Sequence, residues 1–141
     1  YRLTNVQAAV GCAQMERLEE FVSAKRRIQY AYNEGLAGIK GISPFPDPSY
    51  GKSACWFSGF VAGTSAREQS ARIREKLREK GIDARPFWKP MHFQKPFADA
   101  PRENLHNTEN IWDKIVTLPC STSLSSDDQS RVIASVREIL V

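Results

Sequence analysis

The side chains with chemical potential gather in one stretch, Ile82-Asp-Ala-Arg-Pro-Phe-Trp-Lys-Pro-Met-His-Phe93. Phe87, Trp88, Met91, His92 and Phe93 crowd around the cations Arg85 and Lys89. A loop that mixes aromatic, cationic and imidazole groups is a candidate binding surface. The plainer alternative is a proline-rich edge loop whose aromatics cap a core. Pro86 and Pro90 exclude a helix interior, since each lacks an N–H and fixes φ, and each pushes the residue before it to an extended conformation. The stretch therefore predicts a short strand, Ile82 to about Phe87, running into a stiff loop.

Other chemistry is thin. There is no G-x-G-x-x-G and no P-loop, so no phosphate cradle is readable as a motif. His92 and His106 lack metal-ligand spacing with each other or with any cysteine, so no metal site is expected. His106 reads as a surface residue at a helix start. Cys12, Cys55 and Cys120 form an odd set without metal spacing and read as reduced, buried thiols of a cytoplasmic protein. A nucleophilic pair of Cys55 or Cys120 with His92 has no local support. Trp56-Phe-Ser-Gly-Phe-Val61 echoes the aromatic strand of an RNA-recognition motif but lacks its leading Lys/Arg-Gly, so it reads as a packed core strand. No catalytic residue is assigned.

The scaffold is bounded by 141 residues, 41% hydrophobic and 26% charged, an ordinary composition for one domain spanning 1–141 with a real core. No apolar run approaches the roughly 20 residues of a membrane span, and no membrane partner is expected. A net charge of +4 and a pI near 9.1 permit contact with anions without requiring it. There is no signal-peptide pattern, and a start at Tyr1 suggests a fragment or a processed chain.

Periodicity supplies the elements. Thr4-Asn-Val-Gln7 is a capping box that opens a helical pattern through Val6, Ala9, Val10, Ala13, Leu18, Phe21, Ile28 and Tyr32. Its length predicts two helices, about 4–15 and 17–36, ending near Gly35 or Gly38. Ile42 to Tyr50 contains three prolines and reads as loop. Ala54 to Ala62 predicts a central strand, with Trp56 and Phe60 on one face and Phe57 and Val61 on the other. Ser65-Ala-Arg-Glu68 is a second capping box, opening a helix with Ala71, Ile73 and Leu77 inward and ending at Lys80-Gly81. A short helix over 107–114, a strand at Ile115–Leu118 stopped by Pro119, and a last helix opened by Ser126-Asp-Asp-Gln129 complete the order α-α-β-α-β-α-β-α. About three strands packed with helices make an α+β fold, a small α/β sandwich.

Residues 1–18, Tyr-Arg-Leu-Thr-Asn-Val-Gln-Ala-Ala-Val-Gly-Cys-Ala-Gln-Met-Glu-Arg-Leu, closely resemble a signature of the DegT/StrS-type sugar aminotransferases. Further pieces follow in that family's order. Ser53-Ala-Cys-Trp56 resembles its Ser-x-x-Trp strand start, and Gly81-Ile…Pro90-Met-His92 its Gly-Ile…Pro-Leu-His loop, with Met91 in place of Leu. Leu118-Pro119 followed by Leu124-Ser-Ser-Asp-Asp128 resembles its Leu-Pro…Leu-Ser-x-x-Asp end. The resemblance covers essentially the whole chain and is to the small C-terminal domain of a fold-type I enzyme that uses pyridoxal 5'-phosphate (PLP). The large domain, which carries the Schiff-base lysine and most phosphate contacts, is not part of the matching segment.

The resemblance implies a homodimer that aminates a nucleotide-linked keto sugar at the expense of an amino donor, making amino sugars for surface polysaccharide or glycoconjugate synthesis. It implies PLP in the full-length enzyme and none bound by this chain alone. Arg2 would lie near the neighbouring subunit's site, as a cofactor contact. By the resemblance His92 would face the sugar-nucleotide side. By side-chain chemistry, and not by the family pattern, Trp88 suits stacking on a base or packing on a sugar, and Lys89 and Arg85 are cationic candidates for a nucleotide diphosphate. Two other readings remain: a basic nucleic-acid-binding module and a purely structural dimerisation domain. The aminotransferase reading itself expects no nucleic-acid partner.

Overall fold

A computed structural model describes residues 2–63 and 66–141. Its helices are α1 (Asn5–Glu16), α2 (Leu18–Gly35), α3 (Ala66–Glu79), α4 (His106–Ile111) and α5 (Ser126–Leu140); its strands are β1 (Ile42–Pro44), β2 (Ser58–Ala62), β3 (Arg85–Pro86) and β4 (Ile115–Leu118).

The helical reading of the first 36 residues holds. Thr4 caps α1: its Oγ1 accepts from Gln7 N at 3.3 Å, and Gln7 Oε1 accepts the Thr4 N–H at 3.0 Å. The helix breaks at Arg17 and resumes as α2, whose first turn holds an Arg17–Glu20 ion pair of 2.6 Å. No residue of α1 is buried. In α2, by contrast, Ala24, Ile28 and Tyr32 turn inward. The capping box at Ser65 lies outside the described residues, but α3 follows it and stops at Gly81 (φ +71°), where Ile82 N donates to Leu77 O at 2.9 Å. Its buried stripe is Ser70, Ile73 and Leu77; Ala71, expected inward, is exposed. The last helix is capped one residue earlier than expected. Ser125 Oγ accepts from Asp128 N at 3.1 Å and donates to Asp128 Oδ2 at 2.7 Å.

Among the described residues the sheet has four antiparallel strands in the order β1-β2-β4-β3. Pairings Ser58↔Leu118 and Phe60↔Val116 put these four residues on one face, where they meet α2, α3 and α5 through Tyr32, Leu77, Val132 and Val136. This two-layer core is the α/β sandwich expected, with four strands where about three were read. Gly59, on the opposite face, lies so close to β4 that an added Cβ would strike the Val116 carbonyl oxygen, so only glycine fits there.

Three strand readings change. β1 occupies part of the proline-rich stretch read as loop; Pro44 is tolerated because β1 is an edge strand. β2 begins at Ser58, not Ala54, because Cys55 takes φ +52° and turns the chain before the ladder starts. Trp56 is therefore an exposed residue and not a core one. The strand expected over Ile82–Phe87 shrinks to Arg85–Pro86, since Pro86 has no N–H and the chain leaves the sheet there. The cysteines are not buried: Cys12 is exposed, and Cys55 and Cys120 are half-buried.

Candidate functional site

The loop after β3 is built from its prolines and its own hydrogen bonds. Phe93 N donates to Pro90 O at 3.0 Å, Gln94 N to Met91 O at 2.9 Å and Phe97 N to Gln94 O at 2.9 Å, closing 3₁₀ turns over Met91–Phe93 and Lys95–Phe97. Gln94 Nε2 reaches back to the Lys89 carbonyl at 3.2 Å. The loop is therefore held by its own hydrogen bonds, which lowers the cost of ordering it around a ligand.

Trp88 and Lys89 line a cavity of about 590 Å³ with Phe87, Met91, Gln94 and Trp112. A second cavity of about 340 Å³ adjoins it through Pro90 and Met91 and is lined by His92, Phe97, Arg102 and Leu105. His92 Nε2 lies 2.9 Å from Glu109 Oε1 on α4, and its side chain is only 7% exposed. An ionised carboxylate only accepts, so the contact places the hydrogen on Nε2 and turns Nδ1 away from Glu109. The ring packs on Phe93, centroid to centroid at 4.3 Å.

The expected site residues thus divide. Trp88 and Lys89 line one cavity and His92 the one adjoining it. Arg85 is turned to Asp83, Nη2 to Oδ2 at 2.7 Å and Nε to Oδ2 at 2.9 Å, on the exposed surface. That hydrogen bond holds the Asp83 carboxyl below its ordinary range and raises the guanidinium above its own. Arg2 is exposed, two residues before the α1 cap. His106 is exposed at the start of α4, as expected, with Nε2 2.8 Å from Asn110 Nδ2. Neither Cys55 nor Cys120 partners His92. Cys120 Sγ instead lies 3.6 Å from both Lys25 Nζ and the Trp56 carbonyl.

Sequence reasoning missed Glu109, 17 positions from His92 with no spacing to connect them. It also missed an aromatic group formed when the turn before β2 meets this loop. Trp56 lies 5.4 Å from Trp88 and 4.8 Å from Phe57, and Phe57 lies 5.1 Å from Trp88. The Ser-x-x-Trp pattern was the available signal, but the aromatic run absorbed Trp56 into a strand.

The sequence profile of the DegT/DnrJ/EryC1/StrS aminotransferase family matches residues 1–137. The chain belongs to that family. It is 33% identical to EpsN of Bacillus subtilis (strain 168) over 137 residues, covering 94% of this chain and 35% of that protein. It is 31% identical to the GDP-perosamine synthase of Caulobacter vibrioides over 142 residues, covering 100% of this chain and 38% of the synthase. The crystal structure of the aminotransferase TlmJ from Streptoalloteichus hindustanus superposes with a TM-score of 0.82 at 26% identity, over 96% of this chain and 36% of TlmJ. This family member therefore spans little more than a third of the length of the curated relatives it matches.

Family membership implies PLP in the full-length enzyme. Its Schiff base needs a lysine, activated by a desolvated pocket. Among the described residues no lysine is buried. Lys25 Nζ is taken up by carbonyls of Trp56 and Cys120, and Lys80 Nζ by Glu138 at 2.9 Å. Among the described residues, none supplies the buried amine of a Schiff base.

Proposed function

We propose that the chain is the C-terminal domain, residues 1–141, of a cytoplasmic, homodimeric, PLP-dependent aminotransferase that converts a nucleotide-linked keto sugar into the amino sugar, for surface polysaccharide or glycoconjugate synthesis. The observation that carries this reading is the family match along 1–137, together with the small share of its relatives' length that the chain spans. The lysine and the cofactor's electron sink belong to a part of the enzyme outside this chain.

In this reading the domain supplies groups that bind and orient. Lys89, exposed beside Trp88, meets the substrate's diphosphate. Trp88 stacks on the base or packs on the sugar. His92, its Nε2 tied to Glu109, presents Nδ1 to the sugar side. Arg85 joins only by leaving Asp83. Arg2, next to a helix start where anions are welcome, acts on an anionic group of the neighbouring subunit's ligands.

Turnover tests the reading. The intact protein, given PLP, an amino donor and a panel of keto-sugar nucleotides, is expected to yield an amino-sugar nucleotide detectable by mass. Retention of PLP with no amination of any member of the panel would overturn it. The 141-residue chain alone is expected to give no turnover.

A further inference from the structure

An exposed indole normally floats on the surface, yet the turn that carries Trp56 is fixed with unusual thoroughness. Adjacent cations of α2 are committed to its backbone. Lys25 Nζ donates to the Trp56 carbonyl at 3.1 Å and to the Cys120 carbonyl, two residues past β4, at 2.6 Å. Arg26 Nε donates to the Ser53 carbonyl at 2.8 Å. Ser53 Oγ accepts from Cys55 N at 3.0 Å, and Cys55 itself sits at φ +52°, a left-handed conformation that costs a non-glycine residue about 1 kcal/mol or more. Backbone held in such a state by surrounding bonds is a mark of a functional site.

What this turn presents is Trp56, 66% exposed, beside Trp88, 57% exposed. Their ring planes are inclined at 47° and rest on Phe57 and Phe87. Phe57 is edge-on to Trp88 at 86°, which holds the second indole in place from behind. Next to the pair stands Lys89, exposed on the rim of the 590 Å³ cavity that Trp88 lines. An aromatic surface bordered by a cation matches a ligand with a planar ring at one end and phosphate beside it.

We infer that Trp56, held by Lys25 as a positioning residue, forms with Trp88 the wall that receives the base of the nucleotide-linked substrate, and so determines its nucleotide affinity. This rests on the function proposed above. Lys25 staples α2, the turn before β2 and the chain just past β4 through one ammonium, so the place of Trp56 depends on it.

The test uses the intact enzyme and inhibition by nucleoside diphosphates (UDP, GDP and dTDP), which carry base and phosphate, against sugar 1-phosphate, which carries no base. Trp56→Ala is expected to raise KM for the nucleotide sugar and the inhibition constant of the best nucleoside diphosphate together, by about tenfold, the lower range of what stacking one base contributes. The effect of sugar 1-phosphate and kcat should hold. Trp56→Phe, which keeps a ring, should recover most of the loss. Lys25→Met should reproduce the Trp56→Ala pattern, and Lys25→Arg, which can still donate to both carbonyls, should restore affinity. Unchanged nucleoside diphosphate inhibition in Trp56→Ala overturns the inference. So does a fall in melting temperature and kcat without a change in that inhibition, which would mean that the pair is covered by protein. Either result leaves turnover by the parent enzyme, and hence the proposed function, standing; absence of turnover in the parent defeats that function first.

Discussion

His92 is the residue where packing and chemistry compete. Its side chain is nearly enclosed, yet its polar partner, Glu109, is on the surface. Removing the imidazole leaves no buried group unpaired but vacates its packing against Phe93, so His92→Ala in the intact enzyme is expected to cut turnover of the sugar nucleotide by more than it reduces stability. A large fall in melting temperature with little kinetic change would make it a packing residue. Tyr32 is the opposite case, fully buried, with its hydroxyl donating to Pro119 O at 2.7 Å. Burial, and then the nearby Cys120 thiol, push its phenol above the ordinary value. Because the folded value is raised, the neutral phenol contributes stability that is full below the unfolded value of about 10 and is lost as pH rises from there through the folded value. Tyr32→Phe should cost about 1 kcal/mol at neutral pH through the lost hydrogen bond. It should also flatten the alkaline fall in stability, measurable as urea midpoints between neutrality and pH about 11.

At the scale of elements, α1 is a helix without a core. Leu3, Val6, Val10 and Met15 are exposed along it and before it, and exposed apolar surface of this kind associates. The 141-residue chain is expected to self-associate in sedimentation as its concentration rises; a clean monomer at high concentration would count against a covered role for this face. Elements with their own local signal were legible. The Thr4 box and the 3.6 period gave α1 and α2 and their break near Arg17, and the Ile115–Leu118 run gave β4 to the residue. Elements fixed by distant partners were not. β1 is three residues long and exists because Ile42–Pro44 pairs with Phe60–Ala62. The turn at Cys55 is held by α2 side chains about thirty positions away, so nothing local warned that the aromatic run would leave the strand. The candidate site shows the same division. The loop carrying Trp88, Lys89 and His92 stands out in sequence, whereas its partners Trp56, Glu109 and Lys25 are joined to it only by the fold.

At the scale of the molecule, this family member offers cations, aromatics and an imidazole without a buried lysine among its described residues. In the proposed function it serves a reaction centre whose lysine lies elsewhere, with Arg2 reaching across a dimer. Mixed dimers test the role of Arg2. Intact enzyme carrying Arg2→Ala is combined with subunits lacking the Schiff-base lysine, and transamination is measured per heterodimer. If Arg2 acts across the interface, the site with the intact lysine receives Arg2 from the lysine-less subunit, and about one working site per dimer should return. Activity that stays at the Arg2→Ala level would mean that Arg2 does not act across the interface.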